Sequence, residues 1–311
     1  MLRMLKRLLS PNTLDVLLQD ASLKKHKKIL IAWNRGLGDI ALGLYALVHR
    51  IREYLPHAEI SFLTRQDLEE GFFLLGNVSV IVSPTIRRGC DFSIVEELKK
   101  LGRCPSEFDL VIEKPDPTRW LYWQIGKLTP RLIWKSEWDA LYERFALPAS
   151  TLAPAIGVHV QTETCYNYEK NWPASHWNNF FAQAAKDLGA HIYLFGFQRQ
   201  PVFEGPNIVD LRGKTNLLEM LSIIKNRCTH LVVPDSGVLS LTYYLDIGTP
   251  LRVVSLWADP RQGILRQKVA SPNLSFSHLP MVGKNKDTSR IPVEEVLEAL
   301  TSNRVGSPRR F

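Results

Sequence analysis

Short apolar runs alternate with segments of helical spacing along this chain, and no other feature of the sequence restricts the fold as much. In the first half, four runs are typical of buried strands, at 28–33, 59–64, 78–82 and 109–112. Helical spacing follows the first run at 40–54 and precedes the fourth at 95–101. Strands that alternate with helices form parallel sheets, because each parallel connection needs a crossover. The first half therefore predicts a doubly wound α/β domain.

The same alternation starts again after 147–154, a stretch of proline and small residues that predicts a domain boundary. We expect a first domain at 1–150, with a basic extension at 1–28, and a second at 151–311. The second domain has predicted strands at 156–160, 191–195, 230–233 and 251–256, and predicted helices at 173–188, 216–225, 238–245 and 292–300. Two such domains facing one another leave a cleft at the carboxyl ends of their strands, where doubly wound sheets bind ligands.

Composition excludes several classes of protein. Hydrophobic residues make up 45% and charged residues 23% of 311, as in ordinary globular proteins. No apolar run reaches the ~20 residues that span a bilayer. Four widely spaced cysteines predict reduced thiols in a cytoplasmic protein, not a disulfide framework or a zinc site.

Charge points to anionic partners. Lys and Arg number 39 against 31 Asp and Glu, which gives a net charge of +8. The basic start of the chain lacks the apolar core of a secretory signal. Two interpretations of it stay open: an amphipathic helix lying on an anionic membrane, or a solvated extension packed on the domain surface.

The segment Gly36-Leu37-Gly38-Asp39-Ile40-Ala41 joins the first strand to the first predicted helix. It fits the dinucleotide fingerprint G-x-G-x-x-A, and Arg65 after the next strand would suit an NADP phosphate. Asp39, however, would repel a pyrophosphate. The alternatives are a reactive carboxylate, kept ionised by the helix dipole and ready to accept a proton, or a simple helix cap.

In the second half, Val233-Pro234-Asp235-Ser236-Gly237-Val238 ends a strand and opens a helix. Free amides at a helix start form an anion site suited to a diphosphate, although Ser236 could equally be a cap with nothing bound. Lys170 precedes another helix start and could give a point charge to phosphate. Thr162 and Thr164 follow the strand at 156–160 and are candidate hydroxyl donors.

Together these segments resemble the ADP-heptose:lipopolysaccharide heptosyltransferases, the inverting glycosyltransferases of family 9. The matching segments, in order, are Gly36-Leu37-Gly38-Asp39, Lys170-Asn171-Trp172-Pro173, Asp210-Leu211-Arg212-Gly213-Lys214-Thr215-Asn216-Leu217-Leu218 and Asp235-Ser236-Gly237. The resemblance covers most of 29–257. It implies a GT-B fold of two Rossmann-like domains, a nucleotide-sugar donor in the second domain and a lipid-linked anionic acceptor largely in the first. It also implies no metal ion or other cofactor, and work at the cytoplasmic face of the inner membrane.

The resemblance assigns roles to single residues. It implies that Asp39 is the general base, with Arg35, Gly36 and Gly38 in the loop on the acceptor side. Lys170 and the turn Asp235-Ser236-Gly237 would hold the donor diphosphate and sugar, together with Thr162 and Thr164. Where many members have a histidine shortly after this turn, the chain has Ser240. That substitution leaves open a GT-B protein that binds nucleotide or glycan without chemistry, and an NADP-dependent reductase is the other alternative.

Overall fold

The structure is a computed structural model that describes residues 12–116, 125–148, 153–163 and 169–302. The chain divides into two compact units, Met1–Leu132 and Ile133–Phe311. The division lies before the predicted boundary at 150, because a 3₁₀ helix at Ser136–Arg144 packs on a helix of the second unit. There the Ser222 hydroxyl accepts from the amide of Tyr142, and Lys225 pairs with Asp139 at 2.6 Å.

The first unit is a four-stranded parallel sheet with the strand order β3-β2-β1-β4. Its strands are β1 (Lys28–Trp33), β2 (Glu59–Thr64), β3 (Ser79–Val82) and β4 (Leu110–Ile112). Its helices are α1 (Thr13–Leu23), α2 (Tyr45–Tyr54), α3 (Glu69–Phe73) and α4 (Ile94–Lys100), with 3₁₀ turns at Gln66–Leu68 and Pro105–Glu107. The predicted helix at 40–54 is wrong in one detail, because its first turn, Ile40–Leu44, is a π-helix.

Much of the predicted extension 1–28 is part of this unit. Asn12 caps α1, whose Leu14, Leu18 and Ala21 are buried at the spacing of one helix face. Thr13–Leu23 is therefore packed on the domain, as expected of an extension on its surface, but its helical form was not predicted. Residues 1–11, which hold the basic start of the chain, lie outside the described residues.

The second unit is a six-stranded parallel sheet with the order β10-β9-β8-β5-β6-β7. Read from the other edge, this is the Rossmann order 3-2-1-4-5-6. The strands are β5 (Ala155–His159), β6 (His191–Phe195), β7 (Ile208–Asp210), β8 (His230–Pro234), β9 (Leu251–Trp257) and β10 (Phe276–Val282). The helices are α5 (Ala174–Leu188), α6 (Leu217–Arg227), α7 (Gly237–Tyr244), α8 (Gly263–Gln267) and α9 (Val293–Thr301), with 3₁₀ turns at Lys284–Lys286 and Thr288–Arg290.

An aromatic cluster fills the core between this sheet and α5. Trp172 and Trp177 are buried in it, and their rings meet edge to face with centroids 4.9 Å apart. The indole N–H of Trp172 donates to the carbonyl of Ile291 at 3.0 Å. These two tryptophans are thus packing anchors of the core. They fix the start of α5, and with it the segment that carries Lys170.

Candidate functional site

In the first unit, the candidate site lies at the carboxyl end of β1. Asp39 precedes the π-helical turn and is half-buried, and its side chain makes no capping hydrogen bond. Its Oδ2 instead accepts from the amide of Gly36 at 3.1 Å. A Cβ at position 36 would lie 2.9 Å from that oxygen, so a side chain there would push the carboxylate out of this position. The capping interpretation of Asp39 is therefore wrong.

Burial raises the pKa of Asp39 above its ordinary value, while the Gly36 amide and the cations of Arg35 and Arg88 lower it by less. The expectation that the helix dipole keeps Asp39 ionised is therefore corrected, because burial outweighs any lowering of its pKa by the helix start. A carboxylate with a raised pKa is a stronger proton acceptor than an exposed one. π-Helical turns occur frequently at functional sites, and this one, Ile40–Leu44, begins at the residue after Asp39.

The charges of Arg35 and Arg88 act on this carboxylate, and Arg65 from a third loop contacts the Arg35 backbone. Arg65 follows β2, and its Nη2 donates to the backbone carbonyl of Arg35 at 3.1 Å. Arg35 and Arg88 are exposed, whereas the Arg65 side chain is 14% exposed and its Nε is buried without a hydrogen-bond partner among the described residues. Gly38 contributes its carbonyl, which accepts from the amide of Leu42 at 3.0 Å. The arrangement is a proton acceptor beside a cationic rim.

In the second unit, the predicted turn lies at the carboxyl end of β8. Ser236 is the N-cap of α7, and its Oγ accepts from the amide of Leu239 at 3.3 Å, so the predicted cap is present. Gly237 opens the helix, whose first amides have no partner within the helix. Ser240 donates its hydroxyl to the Ser236 carbonyl at 3.2 Å, so this side chain is engaged with its own helix.

Lys170 and Asp235 meet in a buried ion pair. Lys170 Nζ lies 2.5 Å from Asp235 Oδ2, and each side chain is only 10% exposed. Burial raises the pKa of Asp235, the Lys170 ammonium opposes that shift, and the charge of Asp259 adds to it. Asp259 is itself buried, and the cations of Arg261 and Lys286 contribute to holding its pKa well below the usual range. A lysine charge is thus held next to the start of α7.

The loop after β5 is fixed by paired amides. The Asn171 side chain accepts from the Thr162 amide at 2.7 Å and donates to the Thr162 carbonyl at 3.0 Å. Thr288 donates its hydroxyl to the Asn171 carbonyl at 2.9 Å. Thr162 is therefore hydrogen-bonded to the residue that directly follows Lys170. Thr164 lies outside the described residues.

Several residues of these sites escaped sequence reasoning. Asn171 was recognised only as part of a motif, and Asp259 and Arg88 were not singled out. The signal was present for Asp259, since Asp-Pro-Arg follows a strand of the sheet after one residue. No group of three or more His, Cys, Asp or Glu able to hold a metal exists among the residues that the structure describes. In those same ranges, no helix has the length and apolar character needed to cross a membrane.

The chain is similar to a known protein family and to several solved structures. Residues 130–266 match the model of glycosyltransferase family 9 (heptosyltransferase). This range includes Lys170 and the Asp235 turn but not Asp39. Among curated proteins, none matches the chain. A family 9 glycosyltransferase structure from Veillonella parvula is similar with a TM-score of 0.56 at 17% identity, over 88% of this chain and 95% of that one.

Heptosyltransferase WaaC of E. coli, solved with ADP, has a TM-score of 0.52 at 14% identity, over 88% of this chain and 98% of that one. At these identities the likeness shows the fold. Residues 130–266 therefore match glycosyltransferase family 9 (heptosyltransferase) and the chain has the GT-B fold, findings that support a glycosyltransferase and agree with the resemblance carried by its motifs.

Proposed function

We propose that the protein transfers a sugar, heptose from ADP-heptose, to a lipopolysaccharide core or a related anionic envelope glycolipid, with inversion and without a metal ion. The observation that carries the proposal is the buried Lys170 held beside the open start of α7 by Asp235. A diphosphate at a helix start gains from the amides and the helix dipole. Lys170 adds the compact positive charge that a departing diphosphate needs.

The proposed reaction is a single displacement. The acceptor hydroxyl loses its proton to the Asp39 carboxylate, and its oxygen forms a bond to the anomeric carbon as the bond from that carbon to the diphosphate oxygen breaks. The nucleoside diphosphate leaves with the bonding electron pair and is stabilised by Lys170 and by the Gly237 amide. Attack from the face opposite the leaving group inverts the anomeric centre. The raised pKa of Asp39 suits this role, since burial makes its carboxylate a better base.

The acceptor proposal depends on the arginines around Asp39. Arg35, Arg65 and Arg88 create a positive field where the acceptor hydroxyl has to approach. Arg65 has a buried Nε with no described partner, a group that a phosphate or carboxylate oxygen would satisfy. An acceptor that carries phosphate or acidic sugars fits this rim. We place the reaction in the cytoplasm, with the enzyme peripheral to the inner membrane.

The donor is proposed by comparison. WaaC, a heptosyltransferase of similar fold, was solved with ADP, and the family model that matches residues 130–266 is that of heptosyltransferases. A thermal-shift screen tests the donor directly, because a ligand that binds the folded state raises its stability by about 2.7 kcal/mol at 100 times its Kd. We expect ADP-heptose to raise the melting temperature more than UDP- or GDP-sugars.

A turnover assay then decides between enzyme and binding protein. Purified protein with ADP-heptose and a phosphorylated core acceptor is expected to release ADP in step with glycosylated product. Binding of the nucleotide-sugar without product would overturn the proposal in favour of a protein that only binds. Saturable binding of NADPH with hydride transfer would do the same in favour of the reductase alternative.

A further inference from the structure

A single buried asparagine joins two loops of the first unit. Asn34 directly follows β1 and is 9% exposed. Its Nδ2 donates to the carbonyls of Arg87 at 2.8 Å and Cys90 at 2.7 Å, and its own carbonyl accepts from the Gly89 amide at 3.2 Å. Three hydrogen bonds from one residue thus hold the middle of the β3–α4 loop (residues 83–93) against the segment that carries Arg35 and Asp39.

The start of the same loop is held by a carboxylate. Ser83 and Thr85 both donate their hydroxyls to Glu97 on α4, and Lys100 pairs with the other oxygen of Glu97 at 2.7 Å. Between these two anchors the loop exposes Arg87 and Arg88. A loop fixed at its start and its middle presents its side chains from a defined backbone, which a mobile surface loop does not do.

The charged groups that face this region come from every loop at this end of the sheet. They are Arg35 after β1, Arg65 and Asp67 after β2, Arg88 and Asp91 in the β3–α4 loop, and Lys114 after β4. Asp67 and Asp91 are each paired with a cation, Arg65 at 3.0 Å and Lys114 at 2.9 Å. Arg88 lies between Arg87 and Gly89, whose backbone groups both hydrogen-bond Asn34, and its charge lowers the pKa of Asp39.

We infer that Asn34 is a positioning residue, which holds the β3–α4 loop so that the Arg88 cation stays beside Asp39 and meets an anionic group of the acceptor there. The inference rests on the proposed role of Asp39 as the base. Its physical reason is the match between two amide hydrogens and two carbonyls of one loop, which alanine cannot supply and which aspartate would turn into a repulsion between acceptor oxygens. Asn34 itself touches no reacting atom.

The test compares Asn34→Ala with Arg88→Gln and with the double variant. If Asn34 acts through Arg88, Asn34→Ala raises the acceptor KM about fivefold, the effect of about one hydrogen bond, and leaves the donor KM unchanged. The acidic limb of the pH profile moves to higher pH, because loss of the Arg88 charge raises the pKa of Asp39. The double variant is then no worse than Arg88→Gln alone.

Asn273→Ala is the matched control. Asn273 is a buried asparagine of the second unit whose Nδ2 donates to the carbonyl of Thr249 at 2.8 Å, and whose Oδ1 accepts from the Ser275 amide. Its loss should lower the melting temperature without moving the pH profile. An Asn34→Ala enzyme that loses stability alone, or whose effects add fully to those of Arg88→Gln, overturns the inference. Full activity of Asp39→Asn would instead refute the proposed function, so the two failures are distinguishable.

Discussion

Replacing Lys170 by methionine should lower both the free energy of unfolding of the second unit and the affinity for nucleotide, and a second substitution can separate the two effects. Lys170 and Asp235 form a pair at 2.5 Å with both side chains 10% exposed. Removing one partner of a buried pair leaves an uncompensated charge and costs about 3–5 kcal/mol. Asp235 would be left close to Asp259, whose charge already raises the pKa of Asp235, so the carboxyl would take up a proton to relieve part of that cost.

The companion variant Lys170→Met/Asp235→Asn has no buried charge at this position. It should therefore recover at least half of the lost stability, because replacing both members of a buried pair is often nearly neutral. Nucleotide affinity should not recover, since the lysine that would meet the diphosphate is still absent. A charge-assisted hydrogen bond contributes about 1.5–3 kcal/mol, which predicts a loss of roughly 10- to 100-fold in affinity for ADP.

Urea unfolding, followed by fluorescence of the buried Trp172 and Trp177, measures the first quantity, and calorimetric titration with ADP measures the second. Lys225→Met is the control, because its pair with Asp139 at 2.6 Å involves a carboxylate that is 43% exposed and should cost less than about 1 kcal/mol. Recovery of ADP affinity in the double variant would contradict a role of Lys170 in binding the diphosphate, and a single variant as stable as the wild type would contradict the buried ion pair.

Three further predictions concern single positions. Gly263→Ala should weaken ADP binding, because the new Cβ would lie 2.8 Å from Asp235 Oδ1. Gly248 also has a positive φ, but a Cβ there would have no atom within 4 Å, so Gly248→Ala should leave ADP binding unchanged. Calorimetric titration of both variants with ADP checks this. Burial lowers the pKa of His159 and His278 to about 4. The unfolding free energy should therefore fall by about 2 kcal/mol for each histidine when the pH is lowered from 7.5 to 5, because the unfolded chain takes up the proton and the folded one does not. His159→Gln should reduce this loss of stability in acid, whereas His57→Gln, at an exposed position, should leave it unchanged. Asp39→Asn should raise the melting temperature at pH 8, because a raised pKa means that ionisation of Asp39 destabilises the folded state as the pH rises. The gain should vanish at a pH low enough to protonate the carboxyl. An unchanged melting temperature at pH 8 would contradict the destabilising burial of this carboxylate.

The strands of both sheets could be predicted where they are buried on both faces. The predicted runs at 28–33, 59–64 and 191–195 coincide with β1, β2 and β6, because central parallel strands are nearly continuous apolar runs. The edge strands β3 and β4 were also predicted, to within one residue, whereas the edge strands β7 and β10 were missed. β7 has three residues, and β10 is half-buried with Pro280 and His278 inside it, so neither carries the apolar signal.

The α-helix α1 was missed for a different reason. Leu14, Leu18 and Ala21 have helical spacing and Asn12 is a cap residue, so the signal was present, but the surrounding lysines favoured an extension. The π-helical turn at Ile40–Leu44 gives no such signal, since its apolar pattern is also that of an ordinary helix.

The candidate site divides in the same way. Asp39 and Ser236 could be found because each lies between a strand and a helix, where doubly wound sheets bind ligands. The pairing of Lys170 with Asp235 joins residues 65 positions apart, and Asn34 reaches a loop 53 positions away. Contacts of this kind depend on strand order and loop course, which local sequence patterns do not contain.

The most direct test of the account is the rate of sugar transfer by Asp39→Asn, measured together with ADP affinity. If Asp39 is the base, the rate should lie about 10²- to 10⁴-fold below that of the wild type, the usual contribution of a general base, with the Kd for ADP unchanged. Transfer at nearly the wild-type rate would contradict it, because the proton of the acceptor would then leave by another route.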